Sequence, residues 1–73
     1  MKIEEFENEW NKVIKRRGSV YIYDTNDTSI HANKYIIDEY YEEDYDYEYT
    51  KVYLYYNDVE IAIIDLSFIR EVL

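Results

Sequence analysis

Apolar positions near the start of the chain recur at helical spacing. Ile3, Phe6, Trp10, Val13, Ile14 and Arg17 fall at i, i+3, i+7, i+10, i+11 and i+14. That is one stripe of an α-helix, ending in a long stem that can snorkel. Glu4, Glu5, Glu7 and Glu9 occupy the first half and Lys12, Lys15, Arg16 and Arg17 the second, an order that complements the helix macrodipole. Gly18, the sole glycine, stands where a left-handed residue would end the helix. The pattern predicts a helix over residues 3–17.

Beyond Gly18 the period falls toward two. Val20, Tyr21, Ile22 and Tyr23, followed by the polar run Asp24-Thr25-Asn26-Asp27, read as a strand over 19–24 and a turn. Residues 28–37 fit a second strand antiparallel to the first, with a short helix over 33–42 as the competing reading. From Tyr45 alternation is clear: Tyr45, Tyr47, Tyr49, Lys51, Tyr53 and Tyr55 share one face. The other face passes from Asp44, Asp46 and Glu48 through Thr50 to Val52, Leu54 and Tyr56. A strand over 45–56 should therefore project beyond the core at its acidic end. Asn57-Asp58 signals a turn before a strand over 59–65. Its near-continuous apolar run suggests the middle of a sheet or cover on both faces. Asp65-Leu66-Ser67 offers a cap, and residues 66–73 a short turn or closing strand.

The expected architecture is one α+β domain over residues 1–73, an N-terminal helix packed on a three- to four-stranded antiparallel sheet. The helix stripe with Val20, Ile22, Val52, Leu54, Ile61 and Ile63 would form the core. A chain of this length buries only about 60% of its unfolded surface, so stability should be marginal.

One stretch breaks the pattern. Asp38, Glu39, Tyr40, Tyr41, Glu42, Glu43, Asp44, Tyr45, Asp46, Tyr47, Glu48 and Tyr49 form a run in which every residue is acidic or tyrosine. It supplies much of the net charge of −9. Residues 1–18 sum to +1, from five basic and four acidic side chains; residues 19–73 sum to −10, from three basic and thirteen acidic. Such a field repels nucleic acid and anionic membrane and steers the protein toward basic surfaces. The bland alternative is a solvated edge that prevents strand-to-strand aggregation. Like charges packed this closely destabilise a fold, which is better tolerated when a partner relieves the repulsion. The tyrosines of the run add apolar contact and stack well on guanidinium groups. The remaining Tyr21, Tyr23, Tyr35, Tyr53, Tyr55 and Tyr56 are expected in cross-strand packing.

Other chemistry finds little support. The chain has no cysteine and one histidine, which removes disulfides, thiolate sites and most zinc arrangements. Asp44-x-Asp46-x-Glu48 lacks the glycine and the position-12 glutamate of a calcium loop. His31 has no motif around it, and Ser19, Ser29 and Ser67 lack a nucleophile signature. One glycine cannot build a phosphate loop. Neither a secretory signal nor a run of about 18 apolar residues occurs. The expectation is a cytoplasmic protein without cofactor, metal or catalytic function, binding neither nucleic acid nor membrane directly.

In its size, its lack of Cys and Pro, and its run Asp38 to Tyr49, the chain resembles small phage-encoded inhibitors of bacterial defence. These include anti-CRISPR proteins and DNA-mimic inhibitors of glycosylases and restriction enzymes. Its Lys/Asn/Ile/Tyr usage also fits an AT-rich genome. The resemblance is one of class and transfers no residue roles. It implies an inhibitor that occupies a basic nucleic-acid-binding surface on a host protein, such as an RNA-guided nuclease; the composition of the run itself marks its twelve residues as the expected contacts. The alternative is a homodimer or scaffold that associates through its tyrosine-rich strands.

Overall fold

A computed structural model describes residues 1–45 and 47–73, without the side chains of Tyr45 and Tyr47. One helix, α1 (Ile3–Arg17), precedes six strands: β1 (Val20–Asp24), β2 (Ser29–Ala32), β3 (Lys34–Glu42), β4 (Tyr47–Tyr56), β5 (Val59–Asp65) and β6 (Ile69–Val72). Single 3-10 turns, Glu43–Tyr45 and Leu66–Phe68, join β3 to β4 and β5 to β6. The class is α+β. The strands divide between two antiparallel sheets of three, in the orders β2-β1-β6 and β3-β4-β5.

Local chemistry explains the breaks. Gly18 ends α1 at φ +78°, its N–H donating to the Ile14 carbonyl at 2.9 Å. A side chain there would carry the left-handed penalty. Between β1 and β2, the Asp24 carboxylate accepts the N–H groups of Asn26 and Thr28 at 2.9 and 2.8 Å, an Asx-type turn. Asn57 and Asp58 take φ +51° and +67°, the pair of left-handed residues that a tight hairpin turn requires. The Asp65 carboxylate caps the last 3-10 turn by accepting Ser67 N–H and Oγ–H at 2.9 and 2.8 Å.

The strand expected over 28–37 is instead two strands, and the competing helix over 33–42 is β3. The switch point is Asn33. Its N–H donates to the Tyr55 carbonyl at 2.9 Å. Its side chain gives Nδ2–H to Asn57 Oδ1 and takes the Asn57 N–H, at 2.9 and 3.0 Å. The chain thus leaves β2 and enters the second sheet at a residue whose amide ties it to the β4–β5 turn.

The core gathers Phe6, Trp10 and Val13 of α1 with Val20, Ile22 and Ala32, then Val52, Leu54, Leu66, Ile69 and Val72. Phe6, Val20, Ile22, Val52 and Leu54 are fully enclosed. Ile61 and Ile63, expected in this core, point away and are 43% and 53% exposed. The pairing explains it. Val52 and Leu54 stand opposite Ile64 and Ala62, directly opposed residues share a face, and so Ala62 and Ile64 pack on the core instead. Nor is β5 central or covered twice: it is an edge strand with an open outer face.

Tyr35 ties the helix to the second sheet. Its ring meets Phe6 and Trp10 edge-on at 5.0 and 4.8 Å, and its hydroxyl donates to Glu7 Oε2 at 2.8 Å. Burial, then the bond to Glu7 and its charge, push the phenol up to about 12. A raised folded-state value means this contribution is complete below about pH 10 and is lost as pH climbs through about 12. The stability difference between wild type and Tyr35→Phe should therefore shrink across that range in paired thermal melts; a constant difference would refute the assignment.

Candidate functional site

The acid–tyrosine run forms the far end of the β3–β4 hairpin. The hairpin register runs from Lys34↔Tyr55 to Glu42↔Tyr47, whereas β5 joins β4 only as far as Lys51↔Asp65. The four pairs Glu39↔Thr50, Tyr40↔Tyr49, Tyr41↔Glu48 and Glu42↔Tyr47 thus make a two-stranded extension. It spans about 14 Å at about 3.4 Å per residue, and the Glu43–Tyr45 turn closes it. With long and short axes of 42 and 22 Å, the molecule is visibly elongated.

The expected row Asp44, Asp46, Glu48 on a single strand is not what forms. β4 begins at Tyr47 rather than Tyr45, and Asp44 sits in the 3-10 turn. Asp46 lies outside the described residues. The carboxylates are distributed around the extension instead. Following the face of Leu54 and Val52 outward leads through Tyr35 and Ile37 to Glu39, Tyr41, Thr50 and Glu48; the opposite face carries Asp38, Tyr40, Glu42, Lys51 and Tyr49. Glu43 and Asp44 cover the end, both exposed.

Asp38, Glu39, Glu43, Asp44 and Glu48 are exposed and Glu42 is half-buried. Among the described residues none of these six joins an ion pair; the four pairs that form are Lys12–Glu9, Lys34–Asp58, Arg70–Asp27 and Arg70–Glu71. The base nearest the extension is Lys51, opposite Asp38, with its ammonium 5.4 Å from the centre of the Tyr49 ring. Tyr40 and Tyr49 stack across the strands at 5.0 Å and 26°. That cross-strand contact gives the extension internal order. Tyr40 and Tyr41 remain 46% and 56% exposed.

Five described carboxylates, Glu39, Glu42, Glu43, Asp44 and Glu48, over the four residue pairs and the turn, roughly 17 Å, amount to about one charge per 3 Å. A nucleic-acid duplex carries one per about 1.7 Å. The extension therefore has about half the linear charge density of a duplex, on a rod narrow enough to enter a groove. Comparison with protein-family models, curated proteins and solved structures found no match.

Among the other tyrosines, Tyr21, Tyr55 and Tyr56 make contacts within the fold, as Tyr35 does. Tyr21 stacks on His31 at 4.5 Å and 8°, Tyr56 closes on the same ring at 4.8 Å, and Lys34 lies 5.5 Å from the Tyr55 ring centre. His31 Nε2 bonds Ser19 Oγ at 2.8 Å, a pairing that no local motif signals because it is made by β1–β2 register. No carboxylate among the described residues bonds the other ring nitrogen, so an orienting third member of a catalytic triad is not assembled. Among the described residues no three His, Cys, Asp or Glu side chains converge on a metal position. An open depression of about 500 Å³ lies at the base of the extension, lined by Met1, Glu48, Tyr49, Thr50, Asp65, Leu66 and Ser67. None of the described helices is long and apolar enough to cross a membrane.

Proposed function

We propose that this protein is a non-catalytic inhibitor that inserts its acidic hairpin tip into a basic nucleic-acid-binding groove of a host protein, in the host cytoplasm. The observation that carries the reading is the extension itself: none of its described residues joins the core, yet it concentrates five carboxylates that make no ion pair among the described residues. A charge run serving only solubility needs no projecting rod. In the complex, the carboxylates meet Lys and Arg that otherwise hold phosphate, while Tyr40 and Tyr41 supply apolar and guanidinium-stacking contact. An RNA-guided nuclease of bacterial defence is the first target to test.

The test is salt-stepped capture from nuclease-treated bacterial lysate, followed by competition with the captured enzyme's own nucleic acid. The tip is expected to be displaced by that nucleic acid and released as salt rises from about 0.15 to about 1 M, where the screening length falls from about 8 to about 3 Å. A partner retained at high salt, or bound together with its nucleic acid, would rule out mimicry.

A further inference from the structure

Each three-stranded sheet has two outer strands, which gives four free edges, and they differ in chemistry. β2 and β6 are four residues long. β3 carries Lys34, Asp38, Glu39 and Glu42 along its length. β5 is seven residues long, and its middle, Ile61-Ala62-Ile63-Ile64, holds no charge. One side of β5 pairs with β4, and the other is hydrogen-bonded to no described backbone. The side chains beside that edge are apolar and open: Val59, Ile61 and Ile63 are 64%, 43% and 53% exposed. An uncharged edge of this kind is a template for another strand, and proteins ordinarily block it with charge, proline, a bulge or cover. β5 carries one bulge, with Ile61 as the extra residue opposite Leu54/Tyr55; regular alternation runs from Ile61 to Asp65, and Glu60 shares the face of Tyr55.

We infer that β5 pairs antiparallel with β5 of a second copy about a two-fold axis at Ala62, joining the two β3-β4-β5 sheets into one of six strands. The sequence of β5 suits its own reverse. With Ala62 opposite Ala62, Ile61 of each copy faces Ile63 of the other, so four half-exposed isoleucines meet on one face. Glu60 falls opposite Ile64 and Asp65 opposite Val59, so no carboxylate faces another across the seam. Like charges directly opposite would destabilise the pairing.

The fold also resolves the main objection, a net charge of −9 on each copy. β5 runs toward the acidic end, since Asp65 pairs with Lys51 at the root of the extension. An antiparallel seam therefore sends the two extensions in opposite directions. Asp65 lies three residues, about 10 Å, from the axis, so the two roots are roughly 20 Å apart. That exceeds the screening length of about 8 Å at physiological salt. The inference is independent of what the extension binds, but its consequence is a divalent particle with one acidic tip at each end. A partner with two basic grooves within reach would then be held by both tips.

Sedimentation velocity on the full chain, from micromolar to about 1 mM protein, tests this at about 0.15 and about 1 M salt. A monomer–dimer equilibrium is expected, with the dimer favoured by salt because screening removes the residual repulsion. Ile63→Lys and Ile61→Lys each place an ammonium in the seam and should weaken association at least about 100-fold, equivalent to about 2.8 kcal/mol. Both positions are exposed, so circular dichroism should show the folds unchanged. Ile36→Lys lies on the same face but on the far strand β3 and should leave the dimer intact, as should Tyr49→Ser. A wild type that stays monomeric throughout overturns the inference. So does a dimer that survives Ile63→Lys, or one that Ile36→Lys abolishes, which would mean face-to-face packing instead.

Discussion

Converting Glu42, Glu43, Asp44 and Glu48 to their amides is expected to stabilise the protein while destroying its affinity for a basic partner. Two opposed effects of the same charges produce this result. In the free protein these acids sit on one narrow hairpin end and make no ion pair among the described residues. Removing like-charge neighbours returns about 0.2–1 kcal/mol per close contact. A gain of about 1 kcal/mol, or several degrees in melting temperature for a domain this small, follows. In the complex, four lost charge contacts at about 0.5–1 kcal/mol each remove about 2–4 kcal/mol, which is about 30- to 1,000-fold in affinity. Calorimetric melting and titration against the captured partner measure the two sides separately. If the variant is more stable and binds equally well, the acids are not the contact. If it is less stable, the free tip is not repulsive and the trade-off described here is absent.

The second large effect lies in the core. Phe6→Ala is expected to strip the chain of a large part of its stability. The Phe6 side chain is fully enclosed and touches both Trp10 and Tyr35, at 5.9 and 5.0 Å between ring centres. Truncating such a phenylalanine costs about 3–5 kcal/mol. At about 0.05–0.15 kcal/mol per residue, a chain of 73 residues has a total stability of only about 4–11 kcal/mol. One substitution thus removes from about a quarter to all of it. Ile63→Ala, on the open face, removes three apolar carbons against six and should cost less than about 1 kcal/mol. Urea unfolding of the two variants decides the point. Equal losses would mean that the outer face of β5 is covered in solution even at low concentration.

These cases mark where sequence patterns were sufficient. The helix was legible because several independent signals agreed: the stripe from Ile3, the acid-to-base order along it, and Gly18 at its end. The Asn57-Asp58 turn was legible because few residues accept two consecutive positive φ angles. By contrast, the face of β5 was not legible. Val59 to Ile64 is apolar with too little alternation to choose a side, and only pairing with Val52 and Leu54 puts Ile61 and Ile63 outside. The switch at Asn33 carried no glycine or proline, because its lock is a side-chain amide reaching Asn57, twenty-four residues away. In the candidate site, acid and tyrosine alternate from Asp44 onward, starting inside the Glu43–Tyr45 turn. A period of two therefore did not mean a continuous strand, and of the acids that seemed to form one row Asp44 lies in the turn and Glu48 on β4.

The position of β1 also bears on the order in which the molecule assembles. It is the central strand of its sheet, and its pairing with β6 joins Ile22 to Val72, fifty residues apart. The β3–β4 hairpin closes over a few residues at Glu42↔Tyr47. Chain closure costs more entropy for the longer loop, and contacts between distant segments form slowly. Folding kinetics thus favour the hairpin first and the β1–β6 seam last, so the acidic tip takes its shape before the platform that carries it is complete.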